Sequence, residues 1–459
     1  MSLATGPRIL RPLRHRDYRL LAIGSLVSLF GDGVFLASIA WQVYALRDVP
    51  SAMSVVGLIV AGSQVSLLLV GGWASDRFDR RTLLIGADLV RAVAIGGIGV
   101  LSVTGALELW HIWVLGALHG MGNAFFNPSA TAYVPDLLPE EDLPQANAFL
   151  GSARPMMQRL AGPAVGGFVV AMVGPGASFL LDAATFLVSA GMLALIRTRT
   201  RPDEVAHAPG HELSGLGEGF RFVWSNRWCW AWLVGAALSV LAFHGPFDVL
   251  VPYVLRFDET LGLTDAQAAR QYGLILAVGG LGSVCVSLAI GQFDLPRRFV
   301  TAMFVAEAVG VGLLAVFGVM TDLWQALLAS LVMNGMYAFT DITWTTLLQR
   351  RVPRHLLGRV SSIDWLMSLG LVPVSFAVAG PLAERVGARQ VLIGGAVLGA
   401  GVLLSLLFVR GVRDPERTPA YGPPSPPTGP VVASGAAAGP GGSSRRPSRT
   451  ADGSGRGPS

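Results

Sequence analysis

Long apolar runs alternate with short polar segments along most of the chain, and this pattern predicts membrane-spanning helices. One helix needs about 20 mostly apolar residues to cross a bilayer. A membrane β-barrel would instead alternate apolar and polar residues over strands of about ten residues. Twelve stretches are long enough, and we number them α1 to α12: 18–46, 53–73, 82–104, 110–133, 146–173, 177–197, 229–255, 271–292, 299–320, 323–348, 362–384 and 388–410. The pattern therefore predicts an all-α integral membrane protein with twelve transmembrane helices.

The composition agrees with this prediction and excludes several classes of function. Of the 459 residues, 52% are hydrophobic and 14% charged, whereas soluble domains carry about 25% charged residues. The two cysteines, Cys229 and Cys285, form neither a metal-ligand spacing nor a disulfide framework, so we expect no metal and no cofactor. The chain contains no H-E-x-x-H, P-loop or nucleophile-elbow motif. A membrane-embedded enzyme or sensor is therefore the least favoured reading, and ATP-driven pumping is excluded.

Arginine is concentrated in alternate loops, which predicts the orientation. The N-terminal segment and the loops that follow α2, α6, α8 and α10 hold nineteen arginines, against five in the opposite loops. Positively charged loops stay on the cytoplasmic side, so we expect both termini in the cytoplasm. The basic charge is explained by topology, and we expect no nucleic-acid partner.

Composition and loop length divide the chain into five regions. We predict a cytoplasmic N-terminus (1–17), a six-helix half (18–197), a cytoplasmic linker (198–228), a second six-helix half (229–410) and a tail (411–459). The linker has apolar residues at helical spacing, which predicts an interfacial helix. The tail is rich in Pro, Gly and Ser and is expected to be disordered.

The two halves resemble each other in sequence. Residues 123–148 align with residues 337–362 at a shift of 214, which matches Asn127 with Asp341 and Pro139 with Pro353. Both segments run from the end of an even-numbered helix through a loop into the next helix. Two parallel six-helix repeats are a known transporter plan, with the substrate site near the membrane midplane between them.

The loop between α2 and α3 reads GWASDRFDRR and is unusually charged. It resembles the signature loop of the major facilitator superfamily, G-x-x-x-D-R-x-G-R-R, and matches it at Gly72, Asp76, Arg77, Arg80 and Arg81. Asp79 replaces the pattern's glycine, which permits a left-handed turn that Asp adopts only at some cost. We expect the loop to form ion pairs with the other half, closing one face of the protein; positive-inside anchoring alone would explain the arginines but not Gly72 or Asp76.

Longer stretches of sequence resemble one branch of this superfamily, and that resemblance covers residues 10–412. The runs LRHRDYRLLAIGSLVSLFGDGVFLASIAWQVYAL and FFNPSATAYVPDLLPEEDLPQANAF are similar to a bacterial branch that contains enterobactin-type siderophore exporters and macrolide-efflux proteins. This resemblance implies a monomer in the bacterial inner membrane that works by alternating access and exports its substrate by proton antiport. The α5 sequence GPAVGG resembles the antiporter motif at Gly162, Pro163, Gly166 and Gly167, although Gln158 replaces a further glycine of that motif. Ordinary packing of small residues is the alternative reading.

Ionisable residues inside predicted helices are candidates for proton coupling. A charge at the bilayer centre costs about 2.5–3.5 kcal/mol on insertion scales, so it needs a partner or a function. Asp32 in α1 and Arg159 in α5 lie at matching depths. We predict that Asp32 responds to protons and that Arg159 is either its partner or a substrate contact. A permanent structural ion pair is the alternative. Asp248 in α7 and Asp341 in α10 are further candidates.

Other polar residues receive secondary predictions. Asp88 and Arg91 are three residues apart on α3 and are expected to pair and to support the signature loop. The family's usual arginine in α4 is absent, so either coupling follows a different route or Arg91 and Arg154 take its place. Glu307 is the weakest candidate because α9 is expected to be peripheral, and Asp182 is expected to begin α6, where a carboxylate suits the helix dipole. The candidates for the cavity wall are Asn123, Asn127 and Asn334.

Two kinds of transport remain open from the sequence. A proton-coupled exporter of amphipathic small molecules of the drug, macrolide or siderophore type is favoured, with the substrate, protons and the bilayer as partners. A facilitator, an importer or a lysophospholipid mover of the same fold is the alternative.

Overall fold

The computed structural model describes residues 8–198, 212–290 and 296–417. Most of the predicted tail, part of the linker and the first residues of the N-terminus lie outside this range. The side chain of Asp76 also lies outside the described part, so the predicted role of this residue in the signature loop stays a prediction.

All twelve predicted helices are present, and the described residues contain no strand, which confirms the all-α fold. Eight of them are continuous: α1 Arg16–Leu46, α2 Pro50–Arg77, α3 Arg80–Val103, α4 Leu109–Leu137, α6 Pro175–Ala194, α8 Asp265–Ile290, α10 Leu323–Arg351 and α12 Ala388–Leu406. The other four are built from consecutive segments: α5 from Leu143–Pro155, Met156–Ala161 and Gly162–Val173, α7 from Arg227–Gly245, Pro246–Leu250 and Val251–Phe257, α9 from Phe299–Gly312 and Leu314–Val319, and α11 from Arg354–Gly370 and Val372–Val386.

The middle segments of α5 and α7 are π-helical. Pro155 precedes the segment of α5, and Pro246 begins the segment of α7. Proline lacks an amide proton, so it breaks the regular i to i−4 hydrogen bonding and favours a local change of winding. Arg159 lies in the π-helical segment of α5 and Asp248 in that of α7.

Two helices are less apolar than the rest. Ten of the described helices are long and apolar enough to cross a membrane, and α4 and α10 are not among them. Both are 29 residues long, which exceeds the length that a bilayer requires. Their polar residues, among them His119, Asn123 and Asp341, lower their hydropathy. They are repeat-equivalent, so both halves keep their most polar helix in the same place.

Each half packs as a bundle, and two helix pairs make the most extensive contacts between the halves. In the first half α1 packs against α5 and α6, α2 against α4, and α3 against α4 and α6. In the second half α8 packs against α10, α9 against α10 and α12, and α7 against α11 and α12. Between the halves α5 packs against α8 and α2 against α11.

The described part of the linker exposes aromatic side chains, whereas the described part of the tail is hydrogen-bonded to the second half. The linker forms a helix over Glu212–Ser225, and its Phe220 and Trp224 are exposed. In the predicted tail Glu416 accepts hydrogen bonds from Thr301, and Arg351 donates to the carbonyl of Pro415. Residues 411–417 therefore pack against the second half, and the boundary of the tail lies later than predicted.

Candidate transport site

Direct hydrogen bonds join the two halves at one end of the molecule, which we call the closed end. The Tyr44 hydroxyl donates to the Val249 carbonyl at 2.6 Å, and the Trp41 indole donates to the Asp265 carbonyl at 3.2 Å. Arg256 donates to the Trp41 carbonyl at 3.1 Å. The α2–α11 contact lies at the same end, with the Gly380 amide donating to Ser54 at 2.8 Å and the Ser51 amide to Glu384 at 3.0 Å.

The arginines of the signature loop bind their own half, at the opposite end. Arg80 donates to Asp136 at 2.8 Å and to the Ala132 carbonyl at 3.0 Å, both in α4. Arg81 donates to the carbonyls of Leu193 and Ala194 at the end of α6. The described residues thus show no hydrogen bond from these arginines to the second half, contrary to our expectation. We call this end the signature-loop end, and here the described contacts of Arg80 and Arg81 stay within the first half.

Two further residues of the loop have other surroundings. The guanidinium of Arg77 lies 5.5 Å from the centre of the exposed Trp73 ring. A side chain at Gly72 would meet no atom within 4 Å, so close packing does not explain the glycine.

Asp79 does not strain the loop. Its φ is −57°, and its carboxylate accepts hydrogen bonds from the Thr82 amide at 3.1 Å and the Thr82 hydroxyl at 2.6 Å. The residue therefore caps the N-terminus of α3, a position that favours Asp. The departure from the signature pattern replaces the expected glycine turn with a helix cap.

Charged residues on the two π-helical segments lie near each other across the boundary between the halves. Arg159 of α5 is exposed, and its charge acts on Asp248 of α7 and on the exposed Asp341 of α10. Asp248 also lies 4.0 Å from His244. A π-helical segment shifts the side chains that follow it, and such segments are frequent at functional sites.

The predicted pairing of Asp32 with Arg159 is wrong. The cations whose charge acts on Asp32 are Arg91 and Arg154, the two residues considered as substitutes for the missing α4 arginine. The backbone of Arg159 lies against Gly280 of α8 instead. Depth along a helix can be read from sequence, but the direction in which a side chain points around an interrupted helix cannot.

A buried network surrounds Arg91 in the first half. Asp88 is fully buried and Arg91 is 2% exposed, and they form the predicted ion pair. Arg91 also donates to Asn123 of α4 at 3.1 Å, and Asn123 bonds the ring of His119 at 3.1 Å. The pair therefore lies among α3, α4 and α6, and its expected support of the signature loop stays a prediction.

Aromatic rings complete the surroundings of this pair. The Arg91 guanidinium lies 4.1 Å from the ring centre of Phe126 and 4.4 Å from that of Phe186. Cations are attracted to the faces of aromatic rings at such distances, so the rings replace part of the water that the guanidinium loses.

Sequence reasoning undervalued two carboxyl groups. Asp182 does not begin α6, which starts at Pro175, and its side chain is fully buried. Glu307 is 8% exposed and accepts a hydrogen bond from Ser239 of α7 at 2.6 Å. Asp182 was discounted because of its expected position at the start of α6, and Glu307 because α9 was expected to be peripheral. A charge inside a membrane helix needs a partner or a function, and on that ground Asp182 and Glu307 belong among the candidate functional residues.

The antiporter-like motif forms two close helix contacts. A side chain at Gly162 would lie 2.7 Å from the Gly33 Cα, and one at Gly166 would lie 2.8 Å from the Val34 carbonyl, both in α1. On the other face, a side chain at Gly167 would lie 2.8 Å from the Gly273 Cα in α8. The motif therefore packs α5 against its own half and against the second half at once.

The contact between α5 and α8 extends one helical turn along α5, from Gly167 to Pro163. The Pro163 carbonyl lies 2.7 Å from the position that a side chain on Gly273 would take. The contact between α5 and α8 thus depends on small residues in both helices.

The asparagine candidates occupy different places. The Asn334 amide donates to the Ser330 carbonyl at 3.0 Å and lies against Gly279 of α8, so it packs within the second half. Asn127 is half-buried, and its carbonyl accepts from Thr131 at 3.1 Å. Asn123 belongs to the Arg91 network. The cavity assignment stays a prediction for Asn127.

Comparison with known proteins agrees with this architecture. Residues 21–372 match the family described as Major Facilitator Superfamily, and the chain belongs to this superfamily. It is a transporter rather than an enzyme.

Curated relatives are similar to most of the chain. The multidrug efflux pump Tap of Mycobacterium tuberculosis is 26% identical over 80% of this chain and 87% of its own length. Macrolide efflux protein A of Streptococcus pyogenes is 23% identical over 80% of this chain and 89% of its own length. The enterobactin exporter EntS of Salmonella choleraesuis is 24% identical over 88% of this chain and 95% of its own length. The resemblance inferred from the sequence is confirmed.

Solved structures share the fold. The nucleoside transporter NupG superposes with a TM-score of 0.66 at 12% identity, covering 85% of this chain and 98% of its own. A bacterial homologue of the iron transporter ferroportin, in an inward-facing state, superposes with a TM-score of 0.62 at 16% identity. The superposition covers 85% of this chain and 98% of that homologue.

Proposed function

We propose that the protein is a proton-coupled exporter of amphipathic small molecules that works by alternating access. The observation that carries the proposal is that the halves are hydrogen-bonded at the closed end, whereas the described hydrogen bonds of Arg80 and Arg81 in the signature loop go to their own half. A transporter that alternates must hold one end shut while the other is free. The named functions of the relatives, which include multidrug and macrolide efflux and enterobactin export, support the direction of transport.

In this proposal the signature-loop end faces the cytoplasm. The arginine distribution supports that orientation, and the protein lies in the bacterial inner membrane with both termini inside. A substrate would then enter from the cytoplasm and meet Arg159, Asp248 and Asp341 between the halves. One guanidinium and two carboxyl groups at this place suit an amphipathic substrate that carries a small charge.

Asp32 is the proton-responsive carboxylate of the proposal. It is half-buried, and its Oδ1 has no hydrogen-bond partner among the described residues. A carboxylate that is partly removed from water and lies near Arg91 can change its protonation when its surroundings move. Protonation of Asp32 would change the charge of the first half without breaking the Asp88–Arg91 pair.

The proposal is tested in inverted membrane vesicles with an acidic interior. We expect that a transported dye, macrolide or siderophore releases protons and raises the internal pH, which a pH-sensitive dye reports. Asp32→Asn should abolish this response. Asp48→Asn, which changes an exposed carboxylate in the α1–α2 loop, is the matched control and should keep it.

Two results would contradict the proposal. If the compounds accumulate in the vesicles without any change in internal pH, transport is not coupled to protons. If Asp32→Asn responds as the wild type does, the coupling carboxylate lies elsewhere, with Asp248 and Asp341 as the next residues to change.

A further inference from the structure

Asp182 is a buried carboxyl group that the proposed mechanism does not yet use. Its side chain is fully buried within α6. The Thr185 hydroxyl donates to the Asp182 main-chain carbonyl at 2.7 Å and reaches the carboxyl Oδ1 only at 3.4 Å. Oδ2 has no hydrogen-bond partner among the described residues. An ionised carboxylate without a partner is costly to bury.

The Asp182 carboxyl group faces α1 beside Asp32. A side chain at Gly31 would overlap the carboxyl oxygen of Asp182 and the hydroxyl of Thr185. Gly31 is therefore needed to let α6 approach, and the residue that follows it is Asp32. The Oδ1 of Asp32 is also buried without a hydrogen-bond partner in the described part of the chain, and the charge of Asp32 acts on Asp182.

The charges around this pair do not balance if every acid is ionised. The helix α3 contributes Asp88 and Arg91, which are bound to each other. Arg154 of α5 acts on Asp32 but is exposed, so water screens it. Asp32, Asp88 and Asp182 thus share one buried guanidinium.

The nearby histidine does not supply a further positive charge to the pair. His119 of α4 lies between rings, with centroids 5.1 Å from Phe35 and 6.0 Å from Phe186, and its Nε2 bonds Asn123. It is bound to an amide rather than to either carboxyl group.

We propose that Asp182 and Asp32 form a carboxyl pair that holds one proton in this conformation. This inference rests on the proposed function and deepens it, because it assigns a second residue to the proton site. Ionising one of two adjacent carboxyl groups makes it harder to ionise the other, so the two share a proton and titrate as a unit. Asp182 is sealed from water, whereas Asp32 is half-buried, so the proton leaves to water through Asp32 and both groups are then ionised. That state adds a negative charge between α1 and α6 and favours a rearrangement.

Infrared spectroscopy of the full-length protein in lipid nanodiscs tests the inference without a transported compound. A protonated carboxyl group has a C=O stretching band that an ionised one lacks. We expect the wild-type spectrum at neutral pH to contain such a band, and Asp182→Asn to lose it in the difference spectrum. Asp48→Asn is the matched control and should leave the band unchanged.

The remaining outcomes are also decisive. A band that persists in full in Asp182→Asn would overturn the inference. If Asp182→Asn does not fold, Asp32→Asn tests the same pair: we expect the Asp182 band to shift in frequency because its neighbour becomes an amide, and an unshifted band would overturn the pair. If the band behaves as expected but the vesicle assay shows no substrate-driven proton movement, only the proposed function fails.

Discussion

The two halves of this transporter hold their buried charges in different ways. In the first half Arg91 of α3 is ion-paired to Asp88, and Asp32 and Asp182 lie nearby. In the second half Glu307 of α9 is held by the Ser239 hydroxyl, and among the described residues the only other charge that acts on it is that of Asp341. A buried acid without a cation is most stable when it is neutral.

This difference assigns different tasks to the halves. The first half contains a buried ion pair with an incompletely balanced charge beside it. In the second half the buried acid is held by a hydroxyl group, and the charged residues Asp248 and Asp341 lie near Arg159. We infer that the first half binds the proton, and that the second half presents charge to the substrate.

The largest effect is expected from removing the buried cation. Arg91→Gln leaves Asp88 buried without its partner, and breaking a buried ion pair costs about 3–5 kcal/mol. We expect a large loss of folded protein, measured as the fraction that remains monodisperse after heating in detergent. Wild-type stability in this variant would show that the pair is not needed for folding.

A pH-dependent effect is expected at the closed end of the second half. Asp258 accepts hydrogen bonds from Arg389 and from the Thr260 amide, the latter at 2.9 Å. Burial alone would raise the pKa of Asp258, but the hydrogen bonds from Arg389 and Thr260 outweigh it and hold the pKa below its usual value. Such a group stabilises the fold above its unfolded pKa, and the contribution is lost as the pH falls through the folded pKa.

Asp258→Asn should therefore reduce the free energy of unfolding at neutral pH by about 1.5–3 kcal/mol, the range for hydrogen bonds to charged groups. Thermal unfolding from neutral to strongly acidic pH measures this. The difference from the wild type should shrink as the solution becomes acidic, and a constant difference would contradict the assignment.

A smaller effect is expected when the neutral acid is replaced by its amide. Glu307→Gln keeps an oxygen that can accept the Ser239 hydrogen bond, so we expect a loss of about 1 kcal/mol or less. The same thermal assay measures it. A loss as large as that of Arg91→Gln would show that Glu307 is ionised, and the contrast between the halves would be wrong.

The smallest effect on stability is expected at the exposed cation between the halves. Arg159→Gln should change the free energy of unfolding by no more than about 0.5 kcal/mol, as is usual for exposed positions. Efflux of a transported dye from cells should nevertheless fall strongly, because Asp248 and Asp341 lose the cation that faces them. Unchanged efflux would exclude Arg159 from the transport site.

The fold was largely predictable because it follows from length and hydropathy. Apolar runs of bilayer length located the helices, and the repeat at a shift of 214 supported α4 and α10, although their hydropathy is lower. The ends of the helices were less predictable, as the capping by Asp79 and the packing of residues 411–417 show. Both depend on contacts that hydropathy does not encode.

The site was predictable only in part. The Asp88–Arg91 pair followed from its spacing along one helix. The partner of Asp32 did not, because the π-helical segment of α5 changes the face on which Arg159 lies. Asp182 was missed because the approach of α6 to Gly31 is a contact between distant parts of the chain.

Spin-label distances between the halves test the central claim most directly. In a background with Cys285→Ser, labels at Leu69→Cys and Leu366→Cys report on the signature-loop end, and labels at Val49→Cys and Val386→Cys report on the closed end; all four positions are exposed. We predict that raising the pH shortens the first distance and lengthens the second, and that Asp182→Asn keeps both at their acidic values. Distance distributions that do not change with pH would contradict the claim that protonation of the first half drives the movement of the two halves.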